Sequence, residues 1–150
     1  MPHTESSNTL HRRANAVALV LAVITGALVG TASPAAASAP YCRTSIWQGT
    51  SQRTIRVPAT ATGWRCYMAR GAHSTAVAAF QRSMNTCYPG VIGPKLRVDG
   101  AFGLRTQTAL LRVQRYLHIR RDGIYGPQTA LTMRHTAYGG GCDTLSHPGG

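Results

Sequence analysis

Apolar side chains recur at helical spacing in three stretches of the chain. Val77, Phe80 and Met84 follow an i, i+3, i+7 pattern, which predicts a first helix over about 73–85. The same period predicts two further helices: 104–118, which buries Ala109, Leu110, Val113 and Leu117, and 127–134, which presents Ala130, Leu131 and Met133. Three apolar stripes joined by short connections predict a compact helical fold.

The segment before the first helix has no helical period. Thr54–Val57 alternates polar and apolar residues, which predicts a short strand within a hairpin-like lid. Trp47 and Trp64 lie on either side of this strand. We expect them to pack the lid on the helices, and a role as a ligand platform is the alternative.

One turn motif occurs twice. Residues 99–106 recur 23 residues later as 122–129, and both copies have the form Asp-Gly-x-aromatic-Gly-x-x-Thr. Upstream, 76–84 matches 109–117 at a spacing of 33, so the first copy has ten additional residues between helix and turn. These residues belong to the loop at 87–98. The chain is therefore predicted to repeat one helix–loop–turn unit and to add a closing helix.

The residue types within the motif indicate turn geometry. We expect both glycines of each copy to supply positive φ, and the aspartate to accept hydrogen bonds from nearby amides. Pro127 follows the second glycine of the later copy, where a first helical residue tolerates the missing N–H.

The N-terminus has the pattern of a secretory signal. Arg12 and Arg13 precede an uncharged apolar run at 14–29 and a zone of small residues at 31–39. We expect cleavage after Ala37. An uncleaved membrane anchor is the alternative, although the run is short for a spanning helix.

Four cysteines follow the expected cleavage site, and an even number in a small exported chain predicts two disulfide bonds. Three pairings are possible, of which we favour Cys42 with Cys66 and Cys87 with Cys142. The first would close the N-terminal segment, and the second would tie the long loop to the tail. Each would stabilise the fold by about 3 to 4 kcal/mol.

The remaining chain is strongly basic. Without residues 1–37 it retains 14 Lys and Arg against three Asp, a net charge of +11, and Lys95 is the only lysine. Arginine favours bidentate partners such as carboxylate and phosphate, so the charge indicates an anionic partner. An arginine-rich composition alone would explain it equally well.

The doubled turn with an intervening Gln-Arg helix resembles the bacterial peptidoglycan-binding domain of the three-helix type. The resemblance covers 73–135 and implies a mainly α fold, a small three-helix bundle. The short segment before it lies outside the resemblance, and its residue pattern and cysteines predict a disulfide-clasped, β-like structure. The predicted organisation is a signal peptide at 1–37, an extension at 38–72, the domain at 73–135 and a Gly-rich tail at 136–150. Members of this family are non-catalytic modules that hold secreted enzymes on the cell wall.

The chemistry of known wall enzymes is missing from the sequence after residue 37. A glycosidase needs two carboxyl groups, yet no Glu follows Glu5, and Asp99 and Asp122 lie in the repeated turns. The histidines show no ligand spacing, and Ser146-His147 is followed by Pro148 where wall transpeptidases have Gly-Cys. We therefore expect no catalytic residue, no metal and no cofactor.

A binding surface remains, and we expect it where the two helix starts meet. Amides at a helix start favour anions, arginine can bind a carboxylate, and aromatic rings can stack on sugars. The candidate ligand contacts are Arg97, Phe102, Gly103, Arg105, Thr106, Tyr125, Gly126, Gln128 and Thr129. For the aromatic residues and threonines, core packing or capping is the alternative, and Gln81 and Gln114 are expected to brace the turns.

The expected partner is peptidoglycan, with anionic wall polymers as a second possibility and no nucleic acid. The protein is expected to be a secreted monomer, extracellular or associated with the cell wall, without a membrane contact after signal cleavage. A small wall hydrolase, a subunit of one, or a basic disulfide-stapled inhibitor are the alternatives.

Overall fold

The computed structural model of the protein describes residues 40–145. The predicted signal peptide at 1–37 lies outside these residues, as does the end of the predicted tail at 146–150. Among the described residues, no helix combines the length and the apolar character needed to cross a bilayer.

The N-terminal segment forms an antiparallel hairpin. Strand β1, Thr44–Gly49, pairs with β2, Thr54–Ala59. Ile55 and Val57 are fully buried on β2, because alternate residues of a strand face the same side. The strand predicted at Thr54–Val57 is confirmed, and it extends to Ala59.

The three predicted helices are present, with ends that differ by at most two residues from the prediction. Helix α1 spans Thr75–Cys87, and its N-cap is Ser74, whose Oγ accepts from the Val77 N–H at 3.3 Å. Helix α2 spans Leu104–Tyr116 and α3 spans Pro127–Thr132. Both α2 and α3 begin after a glycine, which offers no side chain to cap the helix.

Two short strands follow α3. The chain becomes extended at Met133, at φ −79° and ψ 154°, and β3, Arg134–Thr136, then pairs antiparallel with β4, Cys142–Thr144. Ala137 forms a bridge with Ile55. The second sheet therefore lies beside the edge of β2.

The prediction of a mainly α three-helix bundle is wrong. Helices account for 30% of the described residues, and strands together with isolated β-bridge residues account for 24%. Helix α1 packs more extensively against β2 and β3 than against α2. Strands β3 and β4 have three residues each, too few to display an alternating pattern in sequence. Helix α1 is thus the centre of a mixed α and β core.

The core includes residues from each predicted region of the described chain. Cys42 and Met68 from the extension, Phe80 and Leu110 from the domain, and Leu145 from the tail belong to one buried hydrophobic cluster. The extension and the tail are therefore structural parts of the same fold.

Two disulfide bonds fix these outer segments. Cys42–Cys66 joins the two ends of the hairpin segment, with Cα atoms 5.1 Å apart. Cys87–Cys142 joins the last residue of α1 to the first residue of β4, with Cα atoms 5.8 Å apart. The sequence permits three pairings, and the structure has the one that we predicted.

Candidate functional site

One buried glutamine braces the first repeated turn. The Nε2 of Gln81, on α1, donates to the Asp99 carboxylate at 2.9 Å and to the Ala101 carbonyl oxygen at 3.0 Å. It also lies 3.2 Å from Thr106 Oγ1. The Oε1 accepts from the Gly100 N–H at 3.0 Å. A single side chain therefore fixes the turn to α1 and to the first turn of α2.

The second turn has the same network. The Nε2 of Gln114, on α2, donates to the Asp122 carboxylate at 2.9 Å and to the Ile124 carbonyl oxygen at 3.0 Å. It lies 3.4 Å from Thr129 Oγ1, and its Oε1 accepts from the Gly123 N–H at 2.9 Å. The expectation that Gln81 and Gln114 brace the turns is confirmed.

The two aspartates act as acceptors within their turns. Asp99 Oδ1 accepts from the Ala101 N–H, and Asp122 Oδ1 accepts from the Ile124 N–H, each at 2.9 Å. The hydrogen bond from Gln81 contributes most to holding the pKa of Asp99 below its ordinary value, because it stabilises the ionised form. The turns therefore explain why both positions carry aspartate.

The aromatic residue of each turn is part of the core. Phe102 stacks on Phe80 with ring centroids 5.7 Å apart, and Tyr125 meets Phe80 edge-on at 5.2 Å. Phe102 is 1% exposed and Tyr125 is fully buried. Thr106 and Thr129 are also buried, within the glutamine networks. These four side chains offer no free surface, which corrects their inclusion among the ligand contacts.

Tyr125 has a buried histidine as its neighbour. The rings of Tyr125 and His135 lie 6.4 Å apart, and burial raises the pKa of the tyrosine. Burial lowers the pKa of His135 to about 4. Its Nε2 lies 2.8 Å from the Ala130 carbonyl oxygen, while Nδ1 has no partner among the described residues. We therefore assign a neutral His135 that donates from Nε2 at pH 7.

The chain before α1 pairs with both turns. Within Met68–Ser74, Met68 and Tyr125 exchange two backbone hydrogen bonds of 2.9 Å, and the Phe102 N–H donates to the Ala72 carbonyl oxygen at 2.8 Å. The backbone edges of the two turns are thereby occupied by the protein itself. The open cradle expected between the helix starts is absent, because this segment crosses it.

The second glycines of the two turns have different surroundings. Gly100 and Gly123 take positive φ as predicted, but Gly103 and Gly126 do not, at −85° and −135°. A Cβ on Gly126 would lie 2.5 Å from a ring carbon of Tyr67, whereas a Cβ on Gly103 would meet nothing within 4 Å. The start of α3 is therefore covered and the start of α2 is open.

A groove lies along the open start of α2. It has a volume of about 360 Å³ and is lined on one side by α2 and on the other by the loop after α1. We call it the α2 groove, and its lining residues are Ile92, Pro94, Lys95, Leu96, Leu104, Arg105, Thr108 and Arg112. Leu104 is 61% exposed. The groove thus combines apolar surface with three cationic side chains.

Hydrogen bonds fix the loop that forms the far wall of the α2 groove. The Asn85 side chain donates to the Leu96 carbonyl oxygen and accepts from the Leu96 N–H, both at 2.8 Å. Arg112 Nη1 donates to the Ile92 carbonyl oxygen at 2.8 Å. The wall is therefore held from α1 and from α2, and the shape of the groove does not depend on a ligand.

Few of the expected contacts line this groove. Arg105 does so, whereas the exposed Gly103, which lies two residues before it, and the exposed Arg97 and Gln128 are not among the lining residues. Lys95, Leu104 and Arg112 were missed by the sequence analysis. The ten additional residues of the first copy are the signal that points to them, since they form the wall that the second copy lacks.

A basic depression adjoins the α2 groove through Arg112. It has a volume of 700 Å³, and its lining residues are Val91, Arg112, Arg115, Tyr116, His118 and Arg121. Tyr116 is 60% exposed. Among the described residues, no three His, Cys, Asp or Glu side chains are grouped so that they could hold a metal ion.

The comparison with protein families agrees with the repeated turns and their networks. Residues 76–133 match the putative peptidoglycan binding domain family. The matched stretch contains α2, α3, both repeats and all of α1 except its first residue, so the family resemblance of this segment is confirmed. A comparison with curated proteins finds no match. Peptidoglycan binding by this segment is therefore the function that the comparison supports.

Proposed function

We propose that this protein is a secreted, non-catalytic module that binds peptidoglycan through the α2 groove. The observation that carries the proposal is the groove itself, which lies within the segment that matches the peptidoglycan-binding family. The groove is held in shape by Asn85 and Arg112, and it opens beside the uncapped start of α2.

The lining of the groove suits the peptide part of peptidoglycan. Lys95 and Arg105 are exposed cations that can bind free carboxylates of a stem peptide. Leu104 and Pro94 are exposed and provide apolar surface for short aliphatic side chains. An arrangement of apolar surface with a few placed cations fixes the orientation of a ligand as well as its affinity.

The roles of the aspartates support a non-catalytic module. Asp99 and Asp122 accept hydrogen bonds within the repeated turns, and Asp143 accepts from the Thr50 hydroxyl at 2.7 Å. This last bond contributes most to lowering the pKa of Asp143. None of these carboxylates lines the α2 groove, so the groove holds no pair of acids for glycoside hydrolysis.

Sedimentation with purified, insoluble peptidoglycan tests the proposal. We expect the unmodified protein to enter the pellet at low salt. The double variant Lys95→Gln/Arg105→Gln removes two cations at similar side-chain length, and we expect it to weaken binding by about tenfold, since exposed ion pairs contribute about 0.2–1 kcal/mol each.

Arg82→Gln is the matched control, because Arg82 is an exposed arginine on α1 that does not line the groove. We expect its binding to equal that of the unmodified protein. A protein that stays in the supernatant would refute peptidoglycan binding, and equal losses in the control and the double variant would refute the groove as the site.

An anionic wall polymer is a second candidate ligand, and the basic depression favours it. Arg115 and Arg121 line the depression, and no aspartate does. Binding through these side chains would weaken steeply with added salt, because exposed charges are screened. Equal binding to walls with and without their anionic polymer would count against this candidate.

Export is part of the proposed function and has its own test. The basic and apolar pattern of residues 12–29 and the small residues up to Ala37 support a cleaved signal. We expect the protein in the culture medium or wall fraction to begin at Ser38, as measured by mass spectrometry. A full-length protein in the membrane fraction would contradict this expectation.

A further inference from the structure

Two exposed aromatic residues meet outside the segment that matches the family. Trp47 of β1 is 49% exposed and Tyr138, after β3, is 77% exposed. Their ring centroids lie 5.7 Å apart with an interplanar angle of 81°. We call this arrangement the Trp47–Tyr138 corner. It unites two residues that are far apart in sequence and that the repeated domain does not need for its own core.

The strand pairing fixes the Trp47 side of the corner. Arg56 lies directly opposite Trp47 in the hairpin, and its guanidinium carbon is 5.4 Å from the centre of the tryptophan ring. Arg56 Nε donates to Ser45 Oγ at 2.9 Å. The tryptophan ring is therefore held by a cation on one side while about half of its surface remains open.

The Tyr138 side is held by the hairpin as well. The Tyr138 N–H donates to the Thr54 carbonyl oxygen at 2.8 Å. Arg53 Nη1 donates to the carbonyl oxygen of Gly140 at 2.9 Å, which ties down the glycine turn after Tyr138. The Thr50 hydroxyl donates to Asp143 at 2.7 Å. The turn and the tip of the hairpin are thus joined, and the corner exists without a ligand.

We propose that the Trp47–Tyr138 corner binds a pyranose ring of a glycan strand. The face of an aromatic ring is electron-rich and attracts the polarised C–H groups of a sugar face. Because the two rings are nearly perpendicular, a sugar stacked on one ring presents its edge to the other. Arg53 and Arg56 lie close by and supply N–H donors for hydroxyl or acetamido oxygens.

The size of the corner favours a sugar over a protein partner. A stable protein interface buries about 800 Å² on each partner, and the corner consists of two rings with arginines around them. The choice of a wall glycan rests on the proposed function, but the corner shares no residue with the α2 groove. The glycan would thus be bound by the hairpin and the stem peptide by the repeats.

Fluorescence titration tests the corner directly. The chain has two tryptophans, so in a Trp64→Phe background the emission reports on Trp47 alone. The probe is a set of glycan strands freed of their stem peptides by an amidase. We expect the emission to change when the glycan is added. Because Tyr138→Ala removes one aromatic contact, we expect it to raise the Kd for the glycan by about tenfold.

Trp47→Ala, measured by isothermal titration calorimetry with the same glycan strands, should show the same loss without relying on fluorescence. Tyr41→Ala is the control, since Tyr41 is 68% exposed and lies outside the corner. Glycan binding at unmodified strength in both Trp47→Ala and Tyr138→Ala would overturn the proposal, as would a similar loss in Tyr41→Ala.

The same variants separate this inference from the proposed function. Lys95→Gln/Arg105→Gln should leave binding of peptide-free glycan unchanged while it weakens binding of whole peptidoglycan. If whole peptidoglycan binds and peptide-free glycan does not, the corner is refuted and the α2 groove stands. If peptide-free glycan binds and the groove variant behaves as the unmodified protein on whole peptidoglycan, the groove is refuted and the corner stands.

Discussion

The two repeats share their hydrogen bonds but differ in their surroundings. Gln81 and Gln114 each contact the aspartate, a backbone N–H, a carbonyl oxygen and the threonine of their turn, with corresponding distances that agree within 0.2 Å. The first repeat, however, has ten additional residues and an open helix start, while Tyr67 covers the second. The internal network is thus duplicated, and the candidate groove belongs to the first repeat alone.

The largest expected effect tests whether the two networks are equivalent. Gln81→Leu and Gln114→Leu each leave a buried backbone N–H without its acceptor and remove the donor to an aspartate. We expect each to lower the free energy of unfolding by about 3 kcal/mol, since one unsatisfied buried group costs about 1–3 kcal/mol. Chemical denaturation measures this, with the exposed Gln128→Leu as control. Losses that differ by more than twofold would break the equivalence.

We expect acid to destabilise the second repeat first, because the ring of His135 lies next to Tyr125 of that repeat. The pKa of His135 is about 4 in the folded protein and near 6.5 in the unfolded chain. As the pH falls between these values, the unfolded chain therefore binds the proton first. Stability is therefore fully present above pH 6.5 and falls by about 3 kcal/mol by pH 4. The stabilisation that accompanies the lowered pKa values of Asp99 and Asp143 is present throughout this window, and it is lost only as the pH falls below the ordinary carboxylate pKa.

Denaturation curves between pH 7 and pH 4 check this expectation. His135→Gln should remove most of the slope in this window, whatever it does to stability at pH 7. His73→Gln, at an exposed position, should retain the slope. A slope that persists in His135→Gln would assign the acid sensitivity to another group.

The smallest expected effect concerns the second glycine of each turn, since Gly126 contacts Tyr67 and Gly103 faces open space. Gly126→Ala places a methyl group against the Tyr67 ring, and we expect it to lower the free energy of unfolding by about 1–3 kcal/mol. Gly103→Ala meets no neighbour, and we expect a change of at most about 0.5 kcal/mol. If Tyr67→Ala does not relieve the loss caused by Gly126→Ala, the contact with Tyr67 is not its cause.

The helices and the turns could be predicted because their signals are local. The spacing of Val77, Phe80 and Met84 gives the buried side of α1, and the repeated motif gives both turns together with Gln81 and Gln114 as their braces. These features depend on residues close in sequence, or on a comparison between two copies within one chain.

The sheet content and the binding surfaces could not be predicted, because they depend on contacts between distant segments. Strands β3 and β4 are too short to show an alternating pattern, and Met68 pairs with Tyr125, which lies 57 residues later in the chain. Nothing local distinguishes the buried Phe102 from an exposed ring. The Trp47–Tyr138 corner likewise joins residues that no sequence period relates.

The Cys87–Cys142 bond encloses α2, α3 and both repeated turns within one covalent ring. A protease that cuts the backbone once anywhere between these cysteines opens the ring but releases no fragment. The nicked molecule keeps its two ends attached to each other through sulfur. The α2 groove and the Trp47–Tyr138 corner therefore stay within one covalently connected molecule after a single cleavage.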